Sequence, residues 1–279
     1  MARSGRGWRW RISEVANRLA ALNALEGTAV GYRLFLKGNH GLRKPLGYPH
    51  APWSNAVLKT QLEWKSAVTQ VRTLGLPGHP TPSKNWDSLA ALACILERTD
   101  TSAHILDAGS EAYSVILPWL FLYGYTNLFG INLTFREPFK RGSIRYENGD
   151  LTRTRFDADT FEGVVCQSVL EHGVDIQAYF KEMARILKTD GVLTTSVDYY
   201  VDPVDTKGHT PFGLPYRVFT AEDVRAMIST AGDVGLVPTG TVDLTCEDRP
   251  INWKPYGLDY TYLILTYVKS GRRAPGLKD

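Results

Sequence analysis

The stretch HILDAGSEAYS, residues 104–114, decides the fold of this chain. A short apolar run ends at Asp107-Ala108-Gly109, and this order predicts a buried strand that runs directly into a tight turn. In open α/β sheets, the first strand and its turn let the backbone approach a ligand at the carboxyl end of the strand. We therefore expect a ligand to bind beside Asp107 and Gly109.

Apolar runs and helical stretches alternate downstream of this segment. Strands are predicted at 128–133, 143–146, 163–166 and 192–197, and helices at 112–123, 175–187 and 221–231. This alternation predicts a mostly parallel α/β sheet covered by helices on both faces. Two β-rich segments, 236–244 and 260–269, follow without a helix between them and predict an antiparallel pair at a sheet edge.

The residues before this pattern predict a helical and loop extension. Helices are indicated at 12–26, around 57–74 and at 88–97, with loops rich in Gly and Pro between them. We therefore divide the chain into an N-terminal extension (1–98), a sheet domain (99–270) and a tail (271–279).

Composition limits the class of protein. A chain of 279 residues that is 43% hydrophobic can bury a full core. It has no run of roughly 18 apolar residues that could span a membrane, and its start lacks the pattern of a secretory signal. The three cysteines are far apart in sequence, which favours reduced thiols over disulfides or a structural metal site. We expect a soluble, cytoplasmic protein.

The charge is concentrated at the N-terminus. The net charge is only +3, yet residues 1–45 contain nine Lys or Arg against two Glu. A basic arm with interleaved aromatic residues suits nucleic acid, an anionic membrane or an acidic partner. A solvated terminus is the alternative that we favour, because chain ends are commonly poorly ordered.

The segment 104–114 resembles the first motif of the class I S-adenosylmethionine-dependent methyltransferases, in which two hydrophobic residues precede Asp-x-Gly-x-Gly-x-Gly. Asp107 and Gly109 match that motif, whereas Glu111 and Tyr113 replace glycines. The later motifs of the family follow in order: LFGINL (128–133), YENGDLT (146–152), FEGVVCQSVLEH (161–172) and ARILKTDGVLTTSVDYY (184–200). The resemblance implies a Rossmann-like fold, methyltransferase activity and S-adenosylmethionine as the cofactor.

The same resemblance implies the cofactor-binding residues. Asn132 stands where a carboxylate usually accepts hydrogen bonds from the ribose hydroxyls. Asp150 matches the acidic residue that contacts the adenine amino group, and Leu151 would supply a backbone amide to the ring. The complete set is Asp107, Gly109, Ser110, Glu111, Asn132, Asp150, Leu151 and Ser168. Taken singly, Asp107 and Asp150 are equally compatible with helix capping.

Methyl transfer to a hydroxyl requires alignment of the acceptor and a base that removes its proton. The candidates follow the fourth and fifth strands; they are Glu171, His172, Asp175, Asp198, Asp202, Asp205 and His209. His172 is our first choice because imidazole titrates near neutral pH, and Asp198 is the second. Each has a structural alternative, as a packed histidine or a cap. Asp202, Asp205 and His209 suit a divalent metal, but a solvated loop is favoured and we predict no metal.

These observations leave several functions open. The leading hypothesis is O-methylation of a small hydroxylated acceptor, a saccharide or a secondary metabolite. The alternatives are an RNA methyltransferase guided by the arm Arg3–Arg11, and a cofactor-binding protein without activity. A nicotinamide dehydrogenase is disfavoured, because residues 107–114 contain one glycine where a dinucleotide turn needs three. Trp86, before the first strand, covers the cofactor or packs in the core.

Overall fold

Five neighbouring parallel strands occupy the middle of the sheet in the computed structural model, which describes residues 24–40 and 44–270. They are β2 (His104–Ala108), β3 (Asn127–Asn132), β5 (Ile144–Asn148), β6 (Phe161–Gln167) and β7 (Leu187–Tyr199). Their order across the sheet is β7-β6-β2-β3-β5. The predicted mostly parallel α/β sheet is therefore confirmed.

The strands are central because their sequences are apolar on both faces. In β6, Val164, Val165 and Cys166 are consecutive and fully buried, as expected for a parallel strand covered by helices on both sides. The chain runs from β2 outward to β3 and β5, and then returns to place β6 on the other side of β2. This reversal is a topological switch point, where open α/β sheets bind their ligands at the carboxyl ends of the strands.

Antiparallel strands complete both edges. On one side β10 (Leu258–Lys269) pairs with β7, and it also pairs with β1 (Ala56–Val57), β8 (Leu236–Pro238) and β9 (Ile251–Trp253). The predicted C-terminal antiparallel pair is thus present as β8 and β10, although the first strand ends at Pro238. On the other side β4 (Phe139–Arg141) pairs with β5, a short strand that the sequence pattern does not predict.

Helices cover the sheet. They are α1 (Ala29–His40), α2 (Gln61–Leu74), α3 (Asn85–Arg98), α4 (Ile116–Tyr123), α5 (Ile176–Ile186) and α6 (Ala221–Asp233). The prediction for α4 began too early, at Ala112, because residues 109–115 form the loop beyond β2. The predicted helix at 12–26 lies outside the described residues except for its last three positions, and so do the arm Arg3–Arg11 and the tail 271–279.

Helix α3 connects the N-terminal extension to the sheet. It packs against β6, β7 and β10, and even its polar residues Asn85, Asp87 and Ser88 are buried. Strand β1 also comes from the extension and adds to the sheet through β10. Residues before position 99 therefore reach the carboxyl ends of the central strands. Within the described ranges, the helices are too short or too polar to cross a membrane.

Candidate active site

The turn after β2 carries the first group of predicted residues. Gly109 has a φ of +91°, and a Cβ at this position would lie 2.5 Å from a methyl carbon of Val169. Both the backbone conformation and this close approach require glycine. The amides of Gly109 and Ser110 both donate to the carbonyl oxygen of Ile131 at 2.9 Å, which holds the turn against β3.

Two polar atoms of this turn are buried without a partner among the described residues. Asp107 is only 3% exposed, and neither its Oδ2 nor the Ser110 hydroxyl has a hydrogen-bond partner. Burial raises the pKa of Asp107 to about 7; the neighbouring Ser110 hydroxyl opposes that rise, and the charge of Glu111 adds to it. Because buried polar atoms are normally paired, these two atoms are candidates to contact a bound ligand.

The residues that replace motif glycines do not obstruct the turn. Neither Glu111 nor Tyr113 has a positive φ, so glycine is not needed at these positions. Tyr113 is 52% exposed, and its ring meets that of His79 edge-on at 5.8 Å. Glu111 extends toward Asn132, whose Nδ2 donates to Glu111 Oε1 at 3.3 Å.

Asn132 and Asp150, the residues predicted to bind the ribose and the adenine, form hydrogen bonds within their own turns. Asn132 Oδ1 accepts from both the amide and the hydroxyl of Thr134 at 2.8 Å. Asp150 Oδ1 accepts from the amide and the hydroxyl of Thr152 at 2.8 and 2.7 Å. Asp150 is exposed beyond the end of β5, and Leu151 is buried beside it. Their contacts with a cofactor stay predictions.

A half-buried cation lies at the ends of β6 and β7. Lys84 Nζ donates to the Ser168 hydroxyl at 2.6 Å, forms an ion pair with Asp87, and lies 4.2 Å from the centre of the Tyr262 ring. Asp87 also accepts from the hydroxyl of Ser196 at 2.6 Å. Ser168, a predicted cofactor residue, has an unusual φ of +50°. The N-terminal extension therefore contributes charged groups to the site.

The sequence does not reveal the roles of Lys84 and Asp87. A Lys and an Asp three residues apart at the start of a helix are typical of a solvent-exposed pair. Trp86 lies between them, and it is buried and stacked on Trp53. The only available signal is the apolar sequence of α3, which indicates a buried helix but not its partner strands.

Two carboxyl groups lie buried beside this cation. Asp198, at the end of β7, is 5% exposed and accepts from the Tyr216 hydroxyl at 2.8 Å. Glu171 is 1% exposed, and both of its oxygens lack a partner among the described residues. Burial raises the pKa of both groups, and the charge of Asp198 raises that of Glu171 further, whereas Lys84 opposes the rise at Asp198. Two close carboxylates cannot both ionise cheaply, and the rise in pKa is larger at Glu171 than at Asp198.

His172 lies in an aromatic environment. Its ring contacts Phe212 edge-on at 5.4 Å and Tyr216 at 5.5 Å between centroids. Burial lowers the pKa of His172, and its Nδ1 has no partner among the described residues. Tyr216 stands between the two predicted catalytic residues, since it contacts His172 with its ring and Asp198 with its hydroxyl.

The other predicted bases have local contacts. Asp175 caps helix α5 by accepting from the Ala178 amide at 3.0 Å. Asp205 accepts from the Lys207 amide within its loop, and His209 packs against Tyr256. The described ranges contain no group of at least three His, Cys, Asp or Glu that could hold a metal ion.

An aromatic cluster extends from Asp198 toward the surface. Trp253 contacts Tyr216, Tyr256 and Tyr260, with ring centroids 5.3, 4.4 and 6.5 Å apart. Tyr216 and Tyr260 are buried, whereas Trp253 and Tyr256 are half-buried. The two buried rings adjoin the carboxyl pair, and the two half-buried rings face outward.

Residues 107–195 match a family model described as a methyltransferase domain. These residues form a methyltransferase domain. The match begins at Asp107 and ends at Thr195 on β7, so it covers the turn and the switch point and stops three residues before Asp198. A search of curated proteins found no match.

A solved structure supports this fold. Geranyl diphosphate C-methyltransferase from Streptomyces coelicolor A3(2) superimposes with a TM-score of 0.51 and 13% identity, over 85% of this chain and 98% of that one. A Mesorhizobium loti S-adenosylmethionine-dependent methyltransferase (TM-score 0.46, 15% identity, 63% and 95% coverage) and the YcgJ protein of Bacillus subtilis (0.45, 16%, 64% and 97%) are also similar. The predicted class I methyltransferase fold is confirmed.

The methyltransferase domain fits the predicted cofactor. The turn after β2 presents an obligatory glycine and two unpaired buried polar atoms at the switch point, as a ligand that approaches the backbone requires. The expectation of an S-adenosylmethionine-dependent enzyme is therefore confirmed.

Proposed function

We propose that this methyltransferase transfers a methyl group to a hydroxyl oxygen of a small acceptor, a saccharide or a secondary metabolite. The observation that carries the proposal is the buried carboxylate of Asp198, which lies beside Lys84 and Tyr216 at the carboxyl end of β7. A hydroxyl acceptor needs a base to remove its proton, and Asp198 is a charged oxygen in a largely water-free place.

S-adenosylmethionine supplies an electrophilic methyl group when it is bound. The protein must then orient the acceptor and take up the proton of its hydroxyl. Asp198 is suited to this because its raised pKa brings it closer to the operating pH than an ordinary carboxylate. Lys84 keeps Asp198 ionised before the transfer, and Tyr216 fixes its oxygen. Glu171 retains its proton, so a single negative charge faces the acceptor.

We assign His172 a positioning role rather than that of the base. A neighbouring counter-ion favours the imidazolium form of a histidine that acts as a base, and His172 is half-buried. The rings packed against His172 are Phe212 and Tyr216, and burial already lowers its pKa. The neutral ring is therefore favoured, and it orients Tyr216 toward Asp198.

The aromatic cluster supports the acceptor class. Half-buried Trp253 and Tyr256 extend the cluster outward from Tyr216, and aromatic ring faces stack well on sugar rings or planar metabolites. The RNA alternative rests on Arg3–Arg11, which lies outside the described residues, and no contact at the described site favours it. We therefore do not propose it.

The proposal is tested with S-adenosylmethionine that carries an isotopically labelled methyl group. The purified enzyme is incubated with pools of mono- and oligosaccharides and of hydroxylated metabolites, and the labelled product is analysed by NMR. A methyl group on oxygen, absent with Asp198→Asn, is expected. Transfer to nitrogen or carbon would contradict the proposal. Cofactor binding without transfer to any pool would favour the inactive cofactor-binding protein.

A further inference from the structure

The loop 109–114 and the end of β3 contain a carboxylate whose position suggests a specific task. We propose that Glu111 supplies the carboxylate that holds the ribose hydroxyls of the cofactor, in place of the residue at the end of β3. This proposal rests on the assignment of S-adenosylmethionine as the cofactor, and it assigns a binding role to a residue that departs from the family motif.

The hydrogen-bonding capacity of Asn132 is already used within the protein. A side-chain amide has one acceptor oxygen with two lone pairs and one NH2 group with two donors. Both lone pairs are engaged by Thr134, at 2.8 Å each. The NH2 group donates to the Ser110 carbonyl at 3.1 Å and to Glu111 Oε1 at 3.3 Å. Asn132 therefore ties the turn to β3, and it cannot accept from a ribose without losing these bonds.

Glu111 has the capacity that Asn132 lacks. An ionised carboxylate has about four acceptor positions, and one of them is met by Asn132. Among the described residues Glu111 forms no ion pair; Arg141, on the neighbouring strand β4, donates to the Ala112 carbonyl at 2.6 Å instead. Two adjacent hydroxyl donors of a ribose would complement this half-buried carboxylate with charge-assisted hydrogen bonds.

The position of Glu111 is fixed by its surroundings. Its backbone amide donates to the Ser114 hydroxyl at 2.9 Å, and its carboxylate is held by the Asn132 amide. Its charge also raises the pKa of Asp107 at the start of the same turn. Preorganised groups of this kind bind with little loss of side-chain freedom. The proposed ribose-binding carboxylate therefore stands on the turn and not at the end of β3, and the Asn132 amide orients it.

The test measures cofactor binding and does not depend on activity. Titration calorimetry compares S-adenosylhomocysteine with its 2′,3′-dideoxy analogue, on the wild type, on Glu111→Gln and on the control Glu137→Gln. Glu137 is an exposed carboxylate on the loop after β3, so its change removes a similar charge nearby. We expect the analogue to bind the wild type about 10- to 100-fold more weakly.

The variants identify the group that recognises the hydroxyls. We expect Glu111→Gln to weaken S-adenosylhomocysteine binding by a similar factor. The analogue should bind Glu111→Gln only slightly more weakly than S-adenosylhomocysteine does, since coupled contacts are not additive. Glu137→Gln should behave as the wild type does. Equal binding of both ligands by the wild type, or unchanged binding by Glu111→Gln, would overturn the role of Glu111.

Two further readouts keep the outcomes separate. A wild type that binds no S-adenosylhomocysteine refutes the cofactor assignment itself, which is distinct from a failure of Glu111 alone. If Glu111→Gln does not fold, as judged by circular dichroism, Glu111→Asp takes its place. The shorter carboxylate should weaken S-adenosylhomocysteine but not the analogue; equal effects on both ligands would overturn the proposal.

Discussion

At the residue scale, the central question is which group removes the proton of the acceptor. Asp198 has a cation and a phenol hydroxyl as neighbours, whereas His172 has two aromatic rings. A general base must exist in a deprotonated and a protonated form. The free-energy cost of this change is lower for the residue whose neighbours stabilise both forms. These partners come from elements far apart in sequence, so the order of preference between His172 and Asp198 could not be settled from the sequence.

Replacement of Asp198 should therefore cost more turnover than replacement of His172. We expect Asp198→Asn to lower turnover by about 10²-fold or more, the usual loss when a general base is removed, with little change in S-adenosylhomocysteine affinity. His172→Ala should cost less than this. Steady-state kinetics with the identified acceptor and calorimetry on both variants decide the matter. Near-normal turnover of Asp198→Asn with a large loss of turnover for His172→Ala would identify His172 as the general base.

Lys84 should set the pH range of the reaction. Its charge lowers the pKa of Asp198 against the effect of burial, together with the hydrogen bond from the Tyr216 hydroxyl. Removal of the charge should raise that pKa, so the base is ionised only at higher pH. We expect the acid limb of the kcat/KM profile to move to higher pH in Lys84→Met and to stay in Lys84→Arg. Thermal unfolding of Lys84→Met is the control, because this variant leaves Asp87 without its ion-pair partner. An acid limb that does not move in a folded Lys84→Met protein would contradict the role of Lys84.

At the element scale, the turn after β2 is the feature that the sequence predicts best. The strand, the aspartate at its end and the glycine are contiguous, so a local pattern is sufficient to locate them. The pairing of β10 with β7 and the contacts of α3 depend on residues far apart along the chain, and no local pattern contains them. For this reason the sequence places Asp107 and Gly109 correctly at the turn and does not reveal Lys84 and Asp87.

The turn itself can be tested through Gly109. A side chain at position 109 would be strained for two reasons: the backbone has a φ of +91°, and its Cβ would lie 2.5 Å from a methyl carbon of Val169. We expect Gly109→Ala to lower the free energy of unfolding by about 1–3 kcal/mol and to weaken S-adenosylhomocysteine binding. Gly232→Ala is the matched control, because it lies in helix α6 with open space around it and should be neutral or slightly stabilising. Equal urea unfolding curves for the two variants would contradict the strain at Gly109.

At the scale of the whole molecule, the site contains buried acidic groups, and their protonation changes the free energy of unfolding. The raised pKa of Asp107, about 7, means that the folded protein holds the proton more tightly than the unfolded chain does. The corresponding stability is fully present below about pH 4 and is lost as the pH rises through about 7.

Asp107→Asn should remove this pH dependence. We expect the free energy of unfolding of the wild type to fall relative to that of Asp107→Asn by roughly 2–3 kcal/mol between about pH 5 and pH 8. Urea unfolding of both proteins at the two pH values measures the difference. A constant difference across this range would mean that Asp107 is already ionised in the folded protein.

The whole account depends on a cofactor site at the carboxyl end of β2. Titration of the purified protein with S-adenosylhomocysteine by calorimetry tests this most directly. The account predicts one saturable site per chain, weakened by Asp150→Ala and by Gly109→Ala but little changed by Asp198→Asn. An absence of binding by the folded wild type at millimolar S-adenosylhomocysteine would contradict it.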